Sequence, residues 1–253
     1  MSSIHAPNYD GYFNWTMTYK LDSDVRLLYG RIEPKAEAKA EAVTKVIPSP
    51  LVRRKTRLVA WMVSNCATNG GREAYVAELS KYIPVDIYGG CGNGTFNCKR
   101  NDTHWLSEPH CYDHIEQTYK FYLSFENSIC KDYVTEKFFL PMQHWVVPIV
   151  YGGADYQRLA PRHSFIDARL YSPKELASYL QLLDGNPKLY REYFWWKNQY
   201  NVEAGVEQMA RHGFCDLCSK LHENPPAKVY QHLADYWSSE THCVKVHWSN
   251  ESS

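Results

Sequence analysis

Neither sign of charge dominates this sequence. Lysine plus arginine and aspartate plus glutamate stand at 28 each, so no basic field exists to draw in nucleic acid or an anionic membrane surface. No apolar run approaches the ~20 residues of a membrane helix, and the N-terminus lacks a charged region followed by an apolar one. No cysteine precedes Cys66. None of the cysteine and histidine groups has the paired CxxC…CxxC or CxxC…HxxxH spacing of a zinc site. Partner choice must therefore come from a local site.

What is present describes a folded protein. The chain has 253 residues, 44% of them hydrophobic, enough to bury one large domain or two modest ones. Eight cysteines accompany four Asn-x-Ser/Thr sequons, at Asn14, Asn93, Asn101 and Asn250, a combination that points to an oxidising secretory lumen. A lumenal protein without a visible entry signal is expected to have an incomplete N-terminus; the alternative is a cytosolic protein with reduced thiols.

Residues 1–30 are aromatic and irregular, with patterning for one or two short strands, and "EPKAEAKAEAVTK" reads as a solvated helix or linker. Pro48 and Pro50 then punctuate the chain, which places a boundary near residue 46. Beyond it, strand 57–64, a helix with Tyr75, Leu79 and Tyr82 or Ile83 on one face, and strand "VDIYG" are expected. A long bridged loop is predicted from Cys91 to His114, followed by strand "KFYLSF", helix "VTEKFFLPMQHW", strand "VVPIVYGG" and a short "SFIDA". Helices are predicted over 173–183 and from 188 to about 212. Strands alternating with helices imply right-handed βαβ units on a parallel sheet.

In such a sheet ligands bind outside the carboxyl ends of the strands, where helix N-termini attract anions. "ENSICKDYVTEK" follows a strand and opens a helix, so its polar residues stand where a phosphorylated ligand would sit. Thr135 is placed to cap the new turn. Lys137 suits a diphosphate and Glu136 ribose hydroxyls; a solvated helix start is the competing explanation of that pair.

The blocks "FYLSFENSICKDYVTEKFF", "VVPIVYGGADY", "HSFID", "SPKELASYLQLLDGNPKLYREYFWWK" and "VSNC" with "GREAYVAELSKYIPVDIYG" resemble the α1,3-fucosyltransferase family. They are similar in particular to the core α1,3-fucosyltransferases of invertebrates and plants, over residues 14–218. The resemblance implies an α/β fold of GT-B type, with a Rossmann-like C-terminal donor domain (46–218), only the tail of an N-terminal acceptor domain (1–45) and a C-terminal tail (219–253). It implies an inverting transfer of fucose from GDP-fucose to O3 of GlcNAc, with the innermost GlcNAc of N-glycans as acceptor. No further cofactor, metal or nucleic acid is implied. The setting would be the Golgi lumen, with membrane attachment through an anchor upstream of this sequence.

Carried across residue by residue, Arg72 and Lys137 match positions that neutralise the diphosphate, Glu136 matches the ribose-binding acid, and Asn127 and Tyr133 match donor contacts, with Glu126 in the same loop. Relatives carry the general base in a Glu-Ser-Pro-x-His stretch. Here Met1-Ser2-Ser3-Ile4-His5 stands in its place, so the base is expected at or before Met1. A catalytically silent nucleotide-sugar-binding fragment and a Lewis-type enzyme acting on lactosamine are the rival readings. A secreted cysteine-rich interaction domain is a third, which the strand–helix alternation opposes.

Other signals have plainer explanations. Asp22 and Asp24 mimic an Asp-x-Asp metal site, but a loop role is expected and no metal. Cys215, Cys218, His212, His222 and Cys243, and separately Cys98, His104, His110, Cys111 and His114, suggest zinc less well than they suggest disulfides. The Cys215–Cys218 pair resembles a motif that bridges to the acceptor domain in relatives. Trp195 and Trp196, spaced with Tyr190 and Tyr200, read as core ahead of a sugar platform.

Overall fold

The computed structural model describes residues 9–36, 47–92, 109–223, 225–237 and 243–246. Sequons Asn93, Asn101 and Asn250, the stretch from Met1 to His5, most of the alanine-rich segment, and Cys98 and His104 lie outside them. Asn14 is described; it is exposed and its amide donates to the Lys228 carbonyl at 2.7 Å.

After the short strands β1 (Met17–Thr18), β2 (Val25–Arg26) and β3 (Gly30–Pro34) and helix α1 (Ser49–Arg54), five strands form the central sheet: β4 (Arg57–Met62), β5 (Val85–Tyr88), β6 (Tyr119–Phe125), β8 (Val147–Tyr151) and β9 (Ile166–Asp167), in the order β5-β4-β6-β8-β9 and parallel throughout, with the short β7 (Ile129–Cys130) outside it. All seven residues of β6 are buried, as expected for a central parallel strand covered on both faces. Alternation divides the faces. Val59, Trp61, Phe121 and Phe125 join the core under α2 (Arg72–Leu79) and α5 (Pro173–Gly185), while Ala60, Met62 and Tyr122 face α3 (Pro109–Thr118). On that second side Phe138 and Met142 of α4 (Glu136–Gln143) pack against Val150. The α/β expectation and the strand series 57–62, 85–88, 119–125 and 147–151 match the sequence pattern.

Two segments differ from it. Where a loop was predicted through His114, α3 begins at Pro109. Cys111 and Tyr112, each one helical turn before Ile115, are buried with it against β4 and β6, so their apolar face outweighs the turn-rich polar neighbours. The helix predicted from 188 to about 212 is broken. α6 (Pro187–Glu192) ends, a 3₁₀ turn covers Trp195–Asn198, β10 (Tyr200–Ala204) follows, and α7 (Val206–His222) starts after Gly205 at φ 113°. β10 is drawn into strand form by β3 (Gly30–Pro34), with which it pairs antiparallel from Ala204↔Gly30 to Tyr200↔Pro34. Residues before the boundary expected near 46 are thereby joined to the sheet domain. Trp196 is a core residue, 2% exposed, and Trp195 donates its indole N–H to the Arg162 carbonyl. Among the described residues no helix is long and apolar enough to cross a membrane.

Candidate functional site

The sheet order reverses between β4 and β6: the chain leaves β4 for β5 on one side, then returns to lay β6 on the other. Loops leaving the carboxyl ends of two such strands diverge to opposite faces and open a crevice. A cleft of about 250 Å³ occupies this point. Val63, Ser64 and Asn65 after β4, Gly89 after β5, and Asn127, Tyr133 and Thr135 after β6 form its walls. Arg72, Glu136 and Lys137, from the first residues of α2 and α4, complete it.

Local sequence explains how each helix arrives there. α2 starts at Gly71 with φ 71° and no side-chain cap; glycine tolerates this left-handed turn, and the first-turn amides keep no side-chain acceptor. Thr135 caps α4 from an extended backbone, its hydroxyl accepting from the Lys137 amide at 3.4 Å, as the sequence predicts. Both helices point their positive ends into the cleft.

Thr135 is itself fixed from beneath. Its amide donates to Glu126 Oε1 at 2.8 Å and its hydroxyl to Glu126 Oε2 at 2.8 Å. The Lys137 ammonium donates to Thr135 Oγ1 at 2.9 Å and Glu136 Oε1 at 3.0 Å, and lies 3.5 Å from Glu126 Oε2. Burial works to lower the Lys137 pKa, but the Glu126 and Glu136 carboxylates outweigh it and hold the ammonium above its ordinary value. The lysine stays charged at neutral pH.

Glu126 departs from its expected place among ligand contacts. It is fully buried and lies under the cleft instead of lining it. Burial raises its carboxyl pKa against the pull of Lys137 and Thr135. The competition for Glu126 is won by the unpaired donors of the α4 cap, which would otherwise be buried without an acceptor. Arg72 lines the cleft yet is 1% exposed. It donates to the Phe125 carbonyl at 2.8 Å, the Asn65 carbonyl at 2.8 Å and Glu73 Oε1 at 3.0 Å, and stands over the Trp61 ring. Its guanidinium staples the ends of β4 and β6 together while forming the floor.

Asn127, Tyr133, Glu136, Lys137 and Arg72 are thus brought into one cleft. Sequence reasoning missed Tyr29, Tyr112 and Tyr122, which also line it. Tyr122 and Tyr112 project from β6 and from the unforeseen α3, their rings 5.8 Å apart. Tyr29 comes from the segment assigned to another domain, although the aromatic content there was a usable signal.

The Asp-x-Asp pair is engaged elsewhere. Asp24 accepts from Lys228 at 2.8 Å, Tyr230 at 2.7 Å and the Thr16 amide at 3.0 Å, while Asp22 is exposed, 3.8 Å from Lys131. The first set of candidate zinc ligands is dispersed: Cys243 is disulfide-bonded to Cys130, His212 is paired with Glu203, and Cys215 and Cys218 are free and exposed on α7. Cys111 of the second set is also disulfide-bonded. Among the described residues, Asp113, Glu116 and His144 bring ligand atoms within 4.8 Å of one another; there His144 Nδ1 and Glu116 Oε2 are hydrogen-bonded at 2.8 Å. A further disulfide, Cys66–Cys91, ties the loop after β4 to the loop after β5 at the cleft mouth.

Residues 52–237 match the family model described as Glycosyltransferase family 10 (fucosyltransferase) C-term. The chain is 38% identical to Alpha-(1,3)-fucosyltransferase C of Drosophila melanogaster over 247 residues, covering 90% of this chain and 54% of that protein. It is 39% identical to Glycoprotein 3-alpha-L-fucosyltransferase A of the same organism, covering 94% and 45%, and 38% identical to the human 4-galactosyl-N-acetylglucosaminide 3-alpha-L-fucosyltransferase FUT6, covering 85% and 55%. The chain spans about half the length of the curated relatives it matches. Among solved structures, an α1,3-fucosyltransferase with GDP-fucose aligns at 21% identity with a TM-score of 0.47, covering 70% of this chain and 50% of that one.

Proposed function

Because the chain belongs to glycosyltransferase family 10, the fucosyltransferases, we propose that its cleft is the GDP-fucose site of an inverting α1,3-fucosyltransferase with a GT-B architecture. The observation that carries this reading is the convergence of Lys137, Arg72 and two helix N-termini on one crevice at the sheet's reversal point. Lys137 meets the diphosphate, Glu136 the ribose hydroxyls, and Asn127 and Tyr133 the sugar nucleotide flank.

In the reaction, O3 of the acceptor attacks the anomeric carbon of fucose as the bond to the diphosphate oxygen breaks on the opposite face. Charge builds on the departing GDP while the sugar becomes cation-like. A preorganised ammonium beside the leaving group stabilises that charge, and loss of one such donor typically costs about 10²–10³ in rate. Arg72 contributes from beneath, through the field of a buried cation and the fixed ends of the two strands. The diphosphate charge is met by these side chains, so EDTA is expected to leave GDP affinity unchanged; a loss restored by one divalent cation would refute that assignment. The acceptor hydroxyl gives up its proton to a general base on the face opposite the departing GDP.

The acceptor we propose is the innermost GlcNAc of N-glycans, which the "IVYGGADY" and "APRHSF" segments favour, and the Golgi lumen is the matching compartment. Disulfides at Cys66–Cys91 and Cys130–Cys243 support an oxidising environment. The test is transfer of labelled fucose from GDP-fucose to a GlcNAc-terminated N-glycopeptide and, in parallel, to N-acetyllactosamine. Preference for the glycopeptide supports this reading, and preference for lactosamine replaces it with the Lewis-type one. GDP binding without transfer to either identifies the chain as a nucleotide-sugar-binding portion.

A further inference from the structure

The C-terminal tail is not a loose end in this fold, and both of its described portions converge on the loop that carries the cleft residues. Residues 228–237 are sewn to the N-terminal segment. Tyr230 bonds the Phe13 carbonyl at 2.9 Å and Asp24 at 2.7 Å, and Leu233 donates to Asp10 at 3.0 Å. Beyond them, β11 (Cys243–Val244) pairs antiparallel with β7 (Ile129–Cys130), and the Cys130–Cys243 disulfide seals the pair.

Residues 126–135 lie between these two attachments. On one side Cys130, fully buried, is covalently held. On the other, the Trp237 ring stands 6.1 Å from Tyr19, whose ring meets Tyr133 edge-on at 5.1 Å, and the Leu21 amide donates to Asp132 at 3.2 Å. Asp132 adopts φ 61°, a left-handed backbone that an aspartate holds only where its surroundings fix it. The tail reaches the facing wall as well: the Val246 amide donates to the Asn69 carbonyl, and the adjoining Gly70 is packed so closely that a Cβ there would lie 3.2 Å from the Asn127 carbonyl.

We propose that residues 228–237 and 243–246 are a positioning element of the cleft. Through the Cys130–Cys243 disulfide and the Trp237–Tyr19–Tyr133 ring contacts, they hold the loop in the shape that presents Asn127 and Tyr133 to a nucleoside diphosphate. None of these described tail residues lines the cleft. Their effect is on preorganisation, because a loop fixed before binding loses less entropy when the ligand arrives. The identity of that ligand rests on the function proposed above.

The experiment compares the intact chain with Cys130→Ala/Cys243→Ala, which avoids mispairing with the free Cys215 and Cys218, and with Trp237→Ala and Trp237→Phe, in which the disulfide is retained. GDP titration and hydrogen exchange are read together. The account expects GDP affinity to fall about tenfold in the cysteine pair and severalfold in Trp237→Ala, with recovery in Trp237→Phe. Exchange should accelerate in residues 126–135 while β4 and β6 stay protected. Unchanged affinity with slow exchange throughout that loop overturns the proposal, and so does protection lost evenly across the sheet. If the cysteine variant does not fold, the two Trp237 variants decide the same question. Failure of the intact chain to bind GDP would count against the proposed function alone, since the exchange comparison needs no nucleotide.

Discussion

Lysines stand at both ends of the parallel sheet, and their surroundings drive them in opposite directions. At the carboxyl end Lys137 is set among the Glu126 and Glu136 carboxylates, which keep its ammonium charged despite burial. At the amino end Lys55 donates to the Glu116 and Tyr119 carbonyls and Lys197 to the Met142 and His144 carbonyls. Burial pushes each of these two down to about 7, with carboxylate support too weak to reverse it. The amino-end lysines serve helices, satisfying the last carbonyls of α3 and α4. The carboxyl-end lysine has its charge sustained by Glu136 and by Glu126, the same acid that holds the α4 cap through Thr135. The contrast is between a lysine kept charged in an open cleft and two lysines that close helix ends.

The largest expected effect separates the two ends. Lys137→Met should weaken GDP binding or slow transfer about 10²–10³-fold, with a fall in the unfolding midpoint beside it, because the buried Glu126 carboxylate loses its counter-charge while keeping its bonds to Thr135. Calorimetric titration beside urea unfolding reads both quantities. An equal loss of affinity in Lys55→Met would dissolve the distinction.

Next comes Arg72→Lys. A single nitrogen cannot reach the Phe125 and Asn65 carbonyls and Glu73 from the three positions the guanidinium offers, so the buried Phe125 carbonyl goes unpaired at about 1–3 kcal/mol, with a smaller cost at the part-buried acceptors. Urea unfolding should show a loss of about 2–4 kcal/mol, and a loss near zero would mean that Arg72 does not staple the strands.

A smaller, pH-dependent effect is expected from Lys55→Met. Lys55 has a folded pKa near 7 against an ordinary value of 10.5, so the unfolded state binds more protons between those values and this group's contribution favours folding increasingly as pH rises from about 7. The substitution removes that gain. The stability difference between wild type and variant should therefore widen in favour of wild type from pH 7 to pH 9, by an amount on the order of 1–2 kcal/mol. A difference independent of pH would show that Lys55 stays fully charged in the folded protein.

The smallest concerns Asp24, away from both ends of the sheet. Burial raises its pKa, but bonds from Lys228, Thr16 and Tyr230 prevail and lower it to about 2 from 3.8. Its stabilisation is present above the unfolded value and is lost as pH falls through about 2. Asp24→Asn should cost about 1 kcal/mol at neutral pH, with the deficit shrinking between pH 4 and pH 2. Thermal melts across that range would test it, and a constant deficit would contradict the assignment.

The strand series and the capped start of α4 were legible because each is written locally: a mostly apolar, aromatic run for β6, then Thr135 ahead of Glu136 and Lys137. The interruption at β10 was not, since its partner β3 lies about 170 residues away and the intervening "WWKNQYNVEA" carries no strong break of its own. Helix α3 was obscured by histidines and cysteines that resembled bridge or metal positions, although Cys111 and Ile115 bear its buried face. In the cleft, residue types pointed to Lys137 and Glu136, and the family resemblance to Arg72, Asn127 and Tyr133. They could not say that Glu126 turns beneath the loop, because the direction of one carboxylate is decided by which buried donors need it. The disulfide partners likewise depend on where the tail returns, which spacing does not encode.

The central claim, that the crevice between β4 and β6 holds a nucleoside diphosphate by its phosphates, is tested most directly by titrating GDP and GMP into the intact chain and into Lys137→Met. The account predicts that wild type binds GDP at least tenfold more tightly than GMP, a difference of about 1.4 kcal/mol, and that Lys137→Met brings the two ligands close to parity. Equal affinities in wild type, or a GDP preference that survives the substitution, would contradict it.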